Sequence, residues 1–224
     1  MTDAEERPGT GIELFTHGHA CLGLVKDGRR LVIDPGAWSD PAALASADAV
    51  LVTHEHADHV DQRALRAALA ARPGLEVWTN AAFEDVFEAP HGRMHVVAEG
   101  DEFEAAGFHV RVVGEWHAEI HPDVPRIRNV GFFVDGAVFH PGDALIFPGA
   151  PVEVLAIPLH GPWLKTAELV DWVRLVAPRR ALAIHDGLLS PQGLALMDRL
   201  LGPQGPGTGA DYVRLAPGDS LTLS

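Results

Sequence analysis

The sequence predicts an α/β protein of the αββα type: two mixed β-sheets packed face to face, with helices on both outer faces. Each half of the chain opens on hairpins and continues with strand–helix–strand units. The longest apolar runs, such as "AVLVT" and "ALAI", are strand-sized, far short of the ~20 residues a membrane helix needs. With 47 % hydrophobic residues in 224, the chain can bury a full core, and 1–224 reads as one domain with a flexible acidic start at 1–10.

The elements follow in order. "GIELFT" reads as a strand, and 20–25 and 30–33 as the arms of a hairpin turned by Asp27-Gly28. Residues 41–46 suit a short helix capped by Asp40, and 49–53 a strand. The Ala/Leu/Arg-rich stretch 61–71, capped by Asp61 and stopped by Pro73-Gly74, is a helix. A strand (75–79) and a short helix (81–88) come next. Strands at 94–97, 102–105 and 108–113 turn at Glu99-Gly100 and Ala106-Gly107. A polar loop (115–128) leads to a hairpin, 130–134 and 137–140, across Asp135-Gly136. The chain ends with a strand at 152–157, a helix at 166–176, a strand at 181–184, a helix at 191–201, a flexible "GPQGPGTG" connection and a final hairpin.

Composition narrows the function. A net charge of -14 argues against a general nucleic-acid partner, although bound cations can reverse the sign locally for a small anionic substrate. One cysteine, Cys21, rules out an internal disulfide and suits a small buried residue in a reducing compartment. The start "MTDAEERPGTG" lacks the basic and apolar stretches of a signal peptide, so a cytoplasmic location is expected. The expected partner is a small-molecule substrate, with no nucleic acid and no membrane; self-association into a homo-oligomer stays open.

Chemistry concentrates in "LVTHEHADHV" (51–60), where an apolar strand turns abruptly polar. His54 and His56 are two apart, so an extended segment points both to one side, as two ligands of one metal require. Asp58 and His59 follow a turn and can serve a second centre beside the first. Imidazole with carboxylate suits zinc first, and manganese or iron can use the same set. Four potential ligands within six residues make a chance His-rich loop a poor account.

"THEHADH" resembles the His-x-His-x-Asp-His motif of the metallo-β-lactamase-fold hydrolases. "LVIDPG", "VVGEWHAEIHP", "VFHPGDA" and "RRALAIHDG" follow that family's order of companion motifs, and "THGHACLGLV" resembles its ascorbate-6-phosphate lactonase-like subgroup. The resemblance implies a metal-dependent hydrolase with two divalent ions. His54, His56 and a third histidine would hold the first; Asp58, His59 and His185 the second; Asp143 would bridge them. Asp34 would orient a ligand, and a hydroxide between the ions would attack an ester, lactone or phosphodiester, with Asp58 as the proton shuttle. For the third histidine, His117 is preferred to His121 because it is nearer a strand end that can aim it. His19 either faces the metals from outside the ligand set or packs against its hairpin. His160 is a candidate proton donor to the leaving group or a cap on the site wall.

Trp38, Trp116 and Trp163 follow strand ends and line either a pocket or the core; His140 is expected beneath Asp143, and His17, His91, His95 and His109 are structural or exposed. Arg126 and Arg128 are the cations nearest the site in sequence. His rather than Glu at position 56 disfavours the di-iron electron-transfer relatives. The short acidic chain disfavours the RNA-processing and thiolester-cleaving ones, and the missing leader a periplasmic antibiotic-destroying enzyme. The other class to weigh is a non-hydrolytic metal-binding or sensing protein on the same scaffold.

Overall fold

A computed structural model describes residues 11–90, 92–216 and 219–223. The expectations for 1–10 and for His91 lie outside them. Two seven-stranded sheets form the body. The first contains β1 (Glu13–Thr16), β2 (Leu22–Lys26), β3 (Arg29–Ile33), β4 (Ala49–Val52), β5 (Glu76–Thr79) and β6 (Met94–Val96). The second contains β7 (Glu102–Ala105), β8 (Phe108–Val113), β9 (Gly131–Val134), β10 (Val138–His140), β11 (Val154–Pro158), β12 (Arg180–Ile184) and β13 (Asp211–Val213). The last strand, β14 (Ser220–Thr222), returns to the first sheet beside β1.

The two sheets share one plan. An antiparallel meander, β1-β2-β3 or β7-β8-β9-β10, is followed by parallel steps, β3-β4-β5-β6 or β10-β11-β12-β13. The helices complete those steps: α1 (Ala42–Ala45), α2 (Gln62–Ala71) and α3 (Ala81–Val86) in the first half, α4 (Thr166–Val176) and α5 (Pro191–Leu201) in the second. Asp61 caps α2 by accepting the Ala64 N–H at 2.9 Å, the cap read from sequence.

The core has three parts. Between the sheets pack Leu14, Leu24, Ile33 and Leu51 against Phe108, Phe132 and Leu182. Outside the first sheet, Leu65, Leu69 and Phe83 cover Val50 and Val77. Outside the second, Leu169, Trp172 and Val173 cover Leu155 and Ile157. Each fully buried side chain of this size is worth roughly 1.5–3 kcal/mol. The central parallel strands read as unbroken apolar runs because both faces are covered. No helix among the described residues is long and apolar enough to cross a membrane.

One expectation is corrected. The last two strands do not form a hairpin: β13 pairs in parallel with β12, and β14 closes the edge of the other sheet. Asp198 of α5 anchors the β13 region by accepting from Tyr212 Oη at 2.8 Å and from Arg214 Nη2 at 2.7 Å. The "GPQGPGTG" connection is tied down by Gly205 N–H to the Gly202 carbonyl, Gly207 N–H to the Leu200 carbonyl, and Arg174 donating to the Pro206 carbonyl.

Candidate metal centre

The strand ends bring two ligand groups together. His54, His56, His117 and Asp143 form one; His19, Asp58, His59 and His185 form the other. Within each, one donor atom per residue lies within 4.8 Å of the rest. The first half supplies the segment after β4 and the loop after β1. The second half supplies His117 from the loop after β8, Asp143 after β10 and His185 directly after β12.

Backbone hydrogen bonds set His117 in the cleft and leave His121 outside it. The 115–128 segment folds back on itself: His117 N–H donates to the Ile127 carbonyl, Asn129 N–H to the Glu115 carbonyl, and Trp116 bridges Arg128. His117 sits at the held base of this segment, buried, and Ala118 N–H donates to the Asp143 carbonyl. His121 lies further along, with a side chain 63 % exposed beside Asp123.

Hydrogen bonds on the far ring nitrogens aim the near ones. Thr53 Oγ1 gives its one proton to Asp34 Oδ2 at 2.7 Å, so it accepts from His54 Nδ1 at 3.0 Å and leaves the His54 Nε2 lone pair facing the cleft. His59 Nδ1 donates to Asp34 Oδ2 at 2.7 Å, and His117 Nδ1 to the Ala118 carbonyl at 2.6 Å. These are the outer partners that fix a metal-ligating imidazole. Asp34 itself is fully buried and also accepts the Thr53 N–H at 2.8 Å.

The near atoms crowd together, and several of them have no hydrogen-bond partner. His59 Nε2, His117 Nε2, His185 Nε2 and Asp143 Oδ1 are all buried without a hydrogen-bond partner. Yet His59 Nε2 is 3.0 Å from Asp143 Oδ1, and the Nε2 atoms of His117 and His185 are each 3.3 Å from Asp143 Oδ2. His54 Nε2 lies 3.1 Å from His56 Nδ1. Donor atoms on a tetrahedral ion with bonds of about 2.0–2.1 Å stand roughly 3.3–3.4 Å apart. Each orphaned buried group costs roughly 1–3 kcal/mol, and a shared cation removes that cost. The residues present therefore fit metal ions.

The electrostatics agree. Burial opposes charge on Asp58, but the adjoining His185 and His19 imidazoles outweigh it and hold the carboxylate well below its ordinary range. Asp143 is likewise held low against its burial by His59, His117 and His185. Burial pulls His185 down, but Asp143 and Asp58 raise it to about 9. His59 is raised by Asp143 and Asp34 against its burial. His54 and His56 are lowered, first by burial and then by neighbouring histidines. The cleft thus keeps ionised acids beside two imidazoles, His59 and His185, whose extra protons a cation can displace.

Backbone strain also collects here: Asp34, His185 and His19 adopt φ of 52°, 56° and 50°. At Gly142, φ is 63° and a Cβ would meet Asn129 Oδ1 at 2.1 Å, so the turn that presents Asp143 requires glycine. His160 ends the β11 segment exposed and belongs to neither ligand group. Trp163 Nε1 donates to Asp143 Oδ2 at 3.2 Å, and Trp38 packs edge-on to His19, whereas Trp116 stacks under Arg128. His140 is buried near Asp34 and accepts the Gly142 N–H. Cys21 is buried and in neither group.

Sequence reasoning missed Thr53, Asn129 and Asn80. Asn129 accepts the Asp143 N–H at 3.0 Å and donates to the Pro141 carbonyl at 2.9 Å; Asn80 donates to the Thr53 carbonyl at 2.9 Å. All three are buried polar residues at strand ends, and that position beside a ligand run was the available signal.

The chain is similar to several known proteins. Residues 13–185 match the model of a beta-lactamase superfamily domain. The chain is 39 % identical over 187 residues to Protein Rv0786c of Mycobacterium tuberculosis, covering 80 % of this chain and 86 % of that one. It is 25 % identical over 227 residues to a UPF0173 metal-dependent hydrolase of Thermococcus onnurineus, covering 92 % and 97 %. The fold is similar to the metallo-beta-lactamase fold protein YhfI of Bacillus subtilis, with a TM-score of 0.69 at 14 % identity over 94 % of this chain and 98 % of that one. With both layers of the sandwich present and its strand ends carrying this ordered set of histidines and aspartates, the chain belongs to the metallo-β-lactamase-fold superfamily of metal-dependent hydrolases.

Proposed function

We propose that the protein is a dinuclear metal-dependent hydrolase acting on a small ester, lactone or phosphodiester. The observation that carries this reading is the convergence of buried, unpartnered donor atoms from both sheets on one cleft. His54, His56 and His117 would hold one ion; Asp58, His59 and His185 the other; Asp143, whose two oxygens reach toward His59, His117 and His185, would bridge them. When bound, two such divalent ions supply Lewis acidity and water ionised near neutral pH. Zinc suits the imidazole-rich set, and manganese or iron(II) are the alternatives.

The chain's own residues do the rest. Asp34 holds His59 in the orientation its ligand role needs. Asp58, ionised and half-buried at the cleft, is placed to hold or pass on a proton of the attacking water. His160, exposed after β11, is the candidate to protonate a leaving group. The likeness of "THGHACLGLV" to the lactonase-type subgroup favours lactones among the substrates. The test is a panel of lactones, simple esters and bis-p-nitrophenyl phosphate, assayed with protein carrying two metal ions. Turnover of one class supports the reading. No turnover across the panel at full metal occupancy would replace it with a non-hydrolytic metal-binding protein.

A further inference from the structure

By distance His19 belongs to the second ligand group, but its hydrogen bonds give the ring the opposite polarity to its neighbours. His54, His59 and His117 each place Nδ1 on an acceptor, which frees Nε2 as a lone pair. His19 Nδ1 instead faces a donor, the backbone N–H of Gly187, at 3.1 Å. A backbone N–H cannot reverse, so His19 Nδ1 must accept, and the proton of the neutral ring sits on Nε2. That nitrogen lies 3.1 Å from Asp58 Oδ2. Binding a cation through Nε2 would move the proton to Nδ1, pointing it at the Gly187 N–H.

The surroundings hold the ring in this pose. The His19 side chain is fully buried, and Trp38 packs against it with ring centroids 4.7 Å apart. The His19 carbonyl accepts the His185 N–H at 2.9 Å, which ties the β1–β2 loop to the end of β12. A Cβ at position 187 would meet His19 Nδ1 at 2.9 Å, so glycine is what lets that backbone come close enough to donate.

We propose that His19 is a positioning residue and not a metal ligand: a fixed N–H donor that holds the Asp58 carboxylate in place at the second metal site. This rests on the metal-centre reading above. The protein ligands of the second ion are then Asp58, His59, His185 and the shared Asp143, although a His19 nitrogen also lies within 4.8 Å of the donor atoms of Asp58, His59 and His185.

Long-range 1H–15N correlation spectra of the full chain, metal-free and zinc-loaded, test this, with the His19 signals identified by their absence in His19→Gln. The expected result is a protonated Nε2 and an unprotonated Nδ1 on His19 in both forms. An unprotonated Nε2 in the zinc-loaded protein would overturn the proposal. Elemental analysis gives a second readout. His19→Gln, whose amide can still donate to Asp58, should keep two zinc ions per chain, whereas His185→Ala should lose one. Loss of one zinc ion from His19→Gln would likewise overturn it. Fewer than two zinc ions in the unsubstituted protein would fail the two-metal reading itself, and this inference with it.

Discussion

The two halves of the molecule each place an aspartate after an antiparallel hairpin, Asp34 after β2–β3 and Asp143 after β9–β10, but the two differ in what they touch. Asp34 is fully buried, and its oxygens accept from Thr53 N–H, Thr53 Oγ1 and His59 Nδ1. Asp143 keeps Oδ1 unpartnered and stands within 3.3 Å of three imidazole nitrogens. The same station in a repeated plan became a strut in one half and an open donor in the other. What separates them is whether neighbouring groups satisfy the carboxylate's lone pairs, and that decides which one is available to a cation.

Substitutions should break this comparison in a graded way. Asp143→Ala removes the donor that reaches both groups, so it should lower bound metal and reduce hydrolysis by more than about 100-fold, beyond the range seen for merely orienting groups. Wild-type metal content in that variant would refute the bridging role. His117→Ala should remove one ion per chain while His121→Ala leaves metal content and turnover unchanged, since only His117 joins the cleft; equal losses from both would contradict the assignment. Asp34→Asn should weaken zinc binding by roughly 10–100-fold without changing the number of ions at saturation, which a competition titration against a chelator would read.

The smallest effect concerns pH. His185 is raised from 6.5 to about 9 in the metal-free fold. A raised pKa means the native state binds the extra proton, so its stabilisation is full below about pH 6.5 and is lost as pH rises through about 9. Melting temperatures of metal-free protein should therefore fall across that window, and zinc loading should remove the fall, because the cation takes the proton's place. An equal fall with zinc bound would count against His185 as a ligand.

The difference between the halves also explains what could be read from the sequence. Four candidate ligands within 54–59 were legible because one loop supplies them all. His117, Asp143 and His185 are dispersed over three strand ends, and only the order of the surrounding motifs pointed to them. His19 stayed ambiguous because its proton is placed by Gly187, 168 positions away. Thr53, Asn80 and Asn129 were missed because side chains bonded to local backbone and strand ends leave no spacing pattern. The layered fold was legible from apolar runs and turns, whereas the partners of β13 and β14 were not. Edge pairing is set by which sheet has an unfilled edge, and that is a long-range property.

One centre for two metal ions, built by both halves, should show directly in a count of bound zinc. Zinc should be counted by elemental analysis after loading and desalting, for the unsubstituted chain and for Asp143→Ala side by side. Two ions per chain are expected in the first and a loss in the second. Fewer than two zinc ions in the unsubstituted chain, or an Asp143→Ala variant that retains both, would refute the two-ion centre.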